Sequence, residues 1–282
     1  MKTKRILVLL LLVLAPATAL AQKHKLRIPF GLYTTGNSDI YGISTGIGSD
    51  TYMDSDTVSV HSNGLRIEPI SQSLLFFTLI FPIKHVNYPN QETAFADFNK
   101  KVPNEVINGI NLSCGTNAFA NLNGITVSAT VQSLKNTNGI SLAGISNSSY
   151  KNNGIQMSFF NTGSYYSKGL LVGGFQTGVY KGRRVHAAFW YNEYKYFDGF
   201  MISVANGCLS KPEEFRGLQL GVVNRTKKLK GIQIGLWNIN EKRSLPIVNW
   251  NFNNKPPKPK KKRTTWINQS AKRNMNQQTH HN

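Results

Sequence analysis

Asn108-Gly-Ile-Asn-Leu-Ser113, Asn123-Gly-Ile-Thr-Val-Ser128, Asn138-Gly-Ile-Ser-Leu-Ala143 and Asn153-Gly-Ile-Gln-Met-Ser158 are one phrase written four times. The glycines Gly109, Gly124, Gly139 and Gly154 stand fifteen residues apart, and Gly169 continues the count. Gly199 falls two periods later, and Gly64 three periods before Gly109. The phrase restarts in its clearest form at Gly217-Leu-Gln-Leu-Gly-Val-Val-Asn224 and Gly231-Ile-Gln-Ile-Gly-Leu-Trp-Asn238. Self-similarity at a fixed short period marks a repeat architecture, and it takes precedence over any local reading.

Within each phrase aliphatic residues alternate with polar or small ones, which is the two-residue period of a strand with one buried face. Leu218, Leu220 and Val222 share one face and Gln219 and Gly221 the other. The aliphatic face is the one expected to be buried, against lipid or in a core, so a charge at Leu218 or Ile232 should abolish assembly while Gln219→Asp stays mild. A helix is disfavoured, since glycine costs a helix interior about 1 kcal/mol per residue. Asn, Ser, Thr, Lys and Gly between the phrases suit turns. The asparagines ahead of the glycines read as the first half of Asn-Gly tight turns. The chain is all-β.

The Gly-aliphatic-Gln-aliphatic-Gly-aliphatic-x-Asn phrase at 217–224 and 231–238 resembles the repeat of a family of bacterial surface-repeat proteins. The likeness is looser from 109 to 207 and slight before Asn63. It implies export, a place at the cell surface and repeat architecture. That family has no assigned activity, so no functional residue carries over.

Outside the repeats the ends differ in kind. Lys2, Lys4 and Arg5, the apolar run Ile6 to Leu14 and Ala19-Leu20-Ala21 together read as a signal peptide over 1–21, with the mature chain starting near Gln22. The expected destination is the outer membrane or cell surface of a Gram-negative-type bacterium. The fold is expected over 22–252, with regular repeats at 108–176 and 216–239. From Lys255-Pro-Pro-Lys-Pro-Lys-Lys-Lys-Arg263 onward, proline and like charge read as a disordered basic tail, 253–282. The formal charge of +20 falls to +17 once Lys2, Lys4 and Arg5 are removed, and eight of those charges lie in the tail. Cys114 and Cys208 are the only cysteines; a disulfide and two free thiols are both open.

Between 86 and 103 the repeats break into a long loop with a helical turn around 93–99. An aromatic hairpin, Phe189 to Phe197, is expected to interrupt the period after Val179. Leu245-Pro-Ile-Val-Asn-Trp-Asn-Phe252 resembles the C-terminal strand of outer-membrane barrels, although thirty residues follow it.

Two closures satisfy such strands. An antiparallel outer-membrane β-barrel would turn aliphatics to lipid and polar residues to the lumen. A β-solenoid would make each fifteen-residue period one coil and stack like on like. Adjacent periods look equivalent, as parallel stacking requires, yet the polar half of each period gives a coil little to bury. The barrel is therefore the expectation and the solenoid the alternative.

No nucleophile, paired carboxylate or His/Cys cluster at ligand spacing stands out, so the reading is non-enzymatic, without metal or cofactor. The expected partners are outer-membrane or cell-envelope lipid, with anionic envelope polymers at Lys260, Lys261, Lys262 and Arg263, and no specific nucleic acid. Trp190, Tyr191 and Tyr194 form a candidate interaction surface. The function class is a structural or surface-interaction protein, with a secreted β-solenoid adhesin or binding module as the alternative.

Overall fold

The structure, a computed structural model, describes residues 24–47, 60–71, 91–117, 119–207 and 212–252. Residues 1–21, read as a signal peptide, and the basic segment from Asn253 lie outside these residues. The described strands join one nineteen-stranded sheet. Every pairing in it is parallel except the last, between Lys228–Ile239 and Ser244–Asn251. The described residues stack coil on coil as a parallel β-solenoid of about twelve coils, which overturns the antiparallel barrel.

One coil shows how the period is used. Ile140–Ala143 runs straight, Gly144 and Ile145 bend the chain, and Ser146–Asn152 runs back before Gly154 opens the next coil. Aliphatic segments pair only with aliphatic segments, as Ile140 with Ile155 and Leu142 with Met157. Polar segments pair with polar ones, as Asn147 with Thr162. Gly64 pairs directly with Gly109, so the residues between them form a single coil with a long excursion rather than three periods. That excursion carries a helix, Gln91–Lys100, where one turn was expected.

The supposed aromatic interruption is likewise two ordinary coils, Gln176–Ala188 and Tyr191–Ile202, paired along their length. Arg184 stands there in the glycine column, opposite Gly199. The strand ending near Phe252 is no insertion signal. It closes the final coil as an antiparallel edge, and Phe252 is exposed.

The polar face lies inside and the aliphatic face outside, the polarity expected of a barrel and the reverse of that expected of a solenoid core. Gln219 is 0% exposed, whereas Ile232 is 37% exposed. In coil after coil the residue between the two aliphatics points in: Asn111, Thr126, Ser141, Gln156 and Gln233 are all fully buried. Some bond to their counterparts one coil away, as Asn111 Nδ2 donates to Thr126 Oγ1 at 2.8 Å, while Ser141 donates to Asn147 and Gln156 accepts from Ser149. Gln233 Nε2 donates to Gln219 Oε1 at 2.7 Å, and Asn249 Nδ2 donates to Gln233 Oε1 at 3.2 Å. A second ladder runs Asn192 to Asn206 to Asn224 to Asn238, with amide-to-amide distances of 2.9, 2.7 and 2.8 Å. Stacked identical amides supply the partner that a buried polar group otherwise lacks. The asparagines before the glycines ladder too, on the outside: Asn108 donates to Asn63 at 2.8 Å and Asn123 to Asn108 at 2.9 Å. They lie within strands and are not hairpin turns.

Apolar core is confined to pockets between the segments, the largest formed by Leu171, Val179, Tyr194, Phe197, Met201, Phe215 and Leu229. His186 sits among them, in register with Leu171 on one side and Met201 on the other, its ring edge-on to Phe197 at 4.5 Å. Neither ring nitrogen finds a hydrogen bond. Burial pushes its pKa down to about 3. The unfolded chain therefore takes up a proton near pH 6.5 that the folded chain refuses, and stability falls as pH drops between those values. The loss is about 2 kcal/mol between pH 7 and pH 5. His186→Leu, matching its column neighbours, should remove that acid sensitivity and raise stability at pH 7 by about 1 kcal/mol. Urea melts of both proteins at the two pH values check this; equal pH slopes would refute it.

Candidate functional site

The outward side of the aliphatic segments is the most extensive feature on the molecule. The first aliphatic of each phrase pairs with the first of the next: Leu65 with Ile110, Ile110 with Ile125, Ile140 with Ile155, and Leu218 with Ile232. The second aliphatics pair in the same way, from Ile67 and Leu112 through Val127 and Leu142 to Ile234. The edge strand extends both columns, with Trp250 opposite Ile232 and Val248 opposite Ile234. Ile110, Leu112, Ile125, Val127, Met157, Ile202 and Ile234 are all exposed. At about 4.8 Å per coil, two such columns make a flat apolar strip ~50 Å long. A typical soluble monomer exposes no contiguous apolar patch beyond about 300–600 Å², and larger ones mark interaction sites.

The strip has two different margins. Where the chain bends after the aliphatic segment, Phe159, Phe160, Phe175, Phe189, Trp190 and Trp237 are exposed. They touch edge-on: Phe175 and Trp190 at 6.4 Å, Phe189 and Trp190 at 5.7 Å. On the glycine side of the later coils, Arg183, Asp198, Arg216 and Lys230 form one column. Aliphatic face, aromatic margin and mainly basic margin follow from the same register, each being a fixed offset from the stacked glycine.

The three residues expected to form an interaction surface separate. Trp190 is 46% exposed on the aromatic margin, and Tyr191 is half-buried beside Phe175 at 5.6 Å. Tyr194 is 2% exposed: its hydroxyl donates to Arg225 O at 2.9 Å and accepts from Gln219 Nε2 at 2.8 Å. It belongs to the core, because a shift of three residues along a strand changes the face. Lys260, Lys261, Lys262 and Arg263 lie outside the described residues. So does Cys208, while Cys114 is a half-buried free thiol.

The opposite side of the solenoid carries stacked tyrosines: Tyr150 to Tyr165 at 5.4 Å and Tyr165 to Tyr180 at 4.6 Å. The helix Gln91–Lys100 lies over them, with Phe98 against Tyr150 at 3.7 Å and Glu92 paired to Lys181 at 2.9 Å. Hydrogen bonding by Lys181 holds the Glu92 carboxyl below its usual range. Among the described residues, this side is partly covered by the chain itself, while the aliphatic one is exposed. Beside it a cleft of about 390 Å³ is lined by Tyr166, Lys181, Tyr196, Asp198, Glu214 and Arg216. Glu214 is occupied by Arg216, whose Nε donates at 2.8 Å.

Sequence reasoning also missed a cluster. His24, Asp39 and His61 each offer a ligand atom, all within 4.8 Å of one another, where no such grouping was expected. Asp39 and His61 stand three residues before Gly42 and Gly64, which stack. Aligning those two glycines would have revealed the pair; their irregular spacing hid it. Comparison with protein-family models, curated proteins and solved structures finds no match for this chain.

Proposed function

We propose that this chain is a non-enzymatic binding module of adhesin type, exported and held at the cell envelope, whose aliphatic face lies on lipid. The observation that carries this reading is the inversion of the faces. Polar residues fill much of the interior, many of them bonded to one another, while the aliphatics of the glycine phrases are spent on the outside. A β-strand that buried its aliphatics would gain about 25 cal/mol per Å² from its own fold. Here that gain is left for a partner.

Lipid fits the margins. Aromatics such as Trp190 and Trp237 suit the boundary between headgroups and acyl chains. In the column Arg183, Asp198, Arg216 and Lys230, Glu214 offsets part of the charge of Arg216 and Lys230, and the net positive charge that remains suits anionic headgroups. The basic segment at Lys260–Arg263 would add to the same attraction in a salt-dependent way. The resemblance of the 217–224 and 231–238 phrases to bacterial surface repeats agrees with an envelope location.

The test is flotation with vesicles containing anionic phospholipid. Ile125→Asp together with Ile232→Asp should leave the far-ultraviolet spectrum and melting midpoint close to those of the parent, because both side chains point outward. Vesicle binding should fall at least tenfold, since each charge must be buried in an apolar contact. Gln219→Asp should do the opposite and destabilise the fold by about 1–3 kcal/mol, breaking its bonds to Gln233 and Tyr194. Vesicle binding unchanged in the double aspartate variant would sink the lipid reading. A wild-type dimer that the same variant dissociates, with no vesicle binding, would assign the face to a second copy instead.

A further inference from the structure

We propose that His24, Asp39 and His61 form a binding site for one divalent transition cation of the zinc type. The three come from neighbouring rungs at the first coils. His24 immediately precedes the strand Lys25–Arg27, Asp39 lies in Ser38–Ile47, and His61 lies in Val60–Ile70. Parallel register puts Asp39 directly beside His61. Asp39 Oδ1 is 2.7 Å from His61 Nδ1 and 3.1 Å from His24 Nδ1. The two imidazole rings stand 5.4 Å apart.

A zinc-type ion holds nitrogen and oxygen ligands at about 2.0–2.2 Å, so its ligand atoms lie ~3.4 Å from one another. The present spacing needs only small side-chain rotations to reach that arrangement. Two imidazoles and one carboxylate select zinc, cobalt, nickel or copper over calcium and magnesium, which take all-oxygen shells. The side chains of Asp39 and His61 are about one third exposed and that of His24 less so. The open side leaves a fourth position for water or an outside ligand, while Val106, in register with His61, walls the other side. A bound ion would tie the three-residue strand Lys25–Arg27 to the next two rungs, fastening the start of the solenoid where it has fewest neighbours.

The probe is Co²⁺ alone, added to the mature full chain in which His280 and His281 are replaced by alanine, so that terminal histidines do not compete. The expected result is one Co²⁺ per chain, with visible ligand-field bands typical of nitrogen and oxygen ligands, displaced by Zn²⁺. Zn²⁺ should also raise the melting midpoint in a concentration-dependent way. Asp39→Asn and His61→Ala should each weaken Co²⁺ binding at least ~100-fold. Both side chains are partly exposed, so the variants should fold, which circular dichroism checks. No Co²⁺ uptake at micromolar concentration would reduce the cluster to a hydrogen-bonded trio and overturn the proposal. Uptake that survives both substitutions, or an intense thiolate charge-transfer band from Cys114 or Cys208, would overturn it equally.

Discussion

Replacing Arg66 by alanine is expected to cost about 3–5 kcal/mol and to unravel the first coils while the later ones persist. Arg66 is fully buried, inside the coil formed by Val60–Ile70. Its Nε and Nη2 donate to the two oxygens of Glu105 at 2.9 and 3.1 Å, a bidentate pair. Nη1 donates to Glu68 Oε2 and to Asn111 Oδ1, both at 2.9 Å, and the Tyr33 ring lies 4.0 Å away. Burial alone would lower the guanidinium pKa, but Glu105 and Glu68 more than offset it and hold the charge in place. Glu68 is pushed above the usual carboxylate range by burial, against the pull of Arg66. Its raised pKa favours the folded state below the unfolded value, and that contribution is lost as pH rises through the folded value.

Truncating Arg66 leaves Glu105 and Glu68 in a dry interior with no cation. Asn111 and Thr116 cannot replace that charge. The triple variant Arg66→Met, Glu68→Gln, Glu105→Gln should recover most of the loss, since the cost lies in the orphaned carboxylates and not in the missing pair. Hydrogen exchange locates the effect. In Arg66→Ala, protection should vanish from the strands Ser38–Ile47, Val60–Ile70 and Glu105–Ser113, yet survive in Lys228–Ile239, because each coil contacts only its neighbours. Full protection in the first coils would show that the cluster contributes nothing to holding them.

The repeat itself was legible, and so was the argument for parallel stacking, because adjacent fifteen-residue periods look alike. What misled was the assumption that a solenoid must bury the aliphatic side of its strands, which counted against it and for the barrel. Alternation states that two faces differ; it does not state which is inside. In a single strand a buried Gln219 has no evident partner. Its partners, Gln233 and the Tyr194 hydroxyl, exist only once coils are stacked. The polar half-period that counted against a solenoid is what fills it. Other misses share this cause. Tyr194 became a surface residue, and the aromatic stretch Phe189 to Phe197 an interruption, because neither can be placed until the register is known. His24 stands one fifteen-residue period before Asp39, but His61 follows Asp39 by 22 residues, so no single interval in the sequence joins all three.

The glycine column gives the sharpest test of that register, and Gly154→Ala is expected to destabilise the solenoid by about 3 kcal/mol or more. A Cβ on Gly154 would lie 1.9 Å from the Gly139 carbonyl oxygen, 2.7 Å from its nitrogen and 2.8 Å from its carbon. All three are backbone atoms of the coil below, so no rotamer can relieve the clash. The coils must part, which breaks ladder hydrogen bonds on both sides. Gly178→Ala is the internal control. It changes a glycine in a neighbouring strand, Gln176–Ala188, where an added Cβ meets nothing within 4 Å. That substitution should be neutral, or stabilise by about 0.4–1 kcal/mol through the unfolded chain. Arg184 completes the series from the other direction. It occupies the column at φ 79°, left-handed backbone that a side chain adopts at a cost of about 1–2 kcal/mol. Arg184→Gly relieves that strain and gives back part of it in unfolded-state entropy, for a net gain of up to about 1 kcal/mol. Urea midpoints should therefore fall in the order Arg184→Gly, Gly178→Ala and parent together, then Gly154→Ala far below. If Gly154→Ala and Gly178→Ala melt alike, the glycines do not stack and the coils are not in the register described.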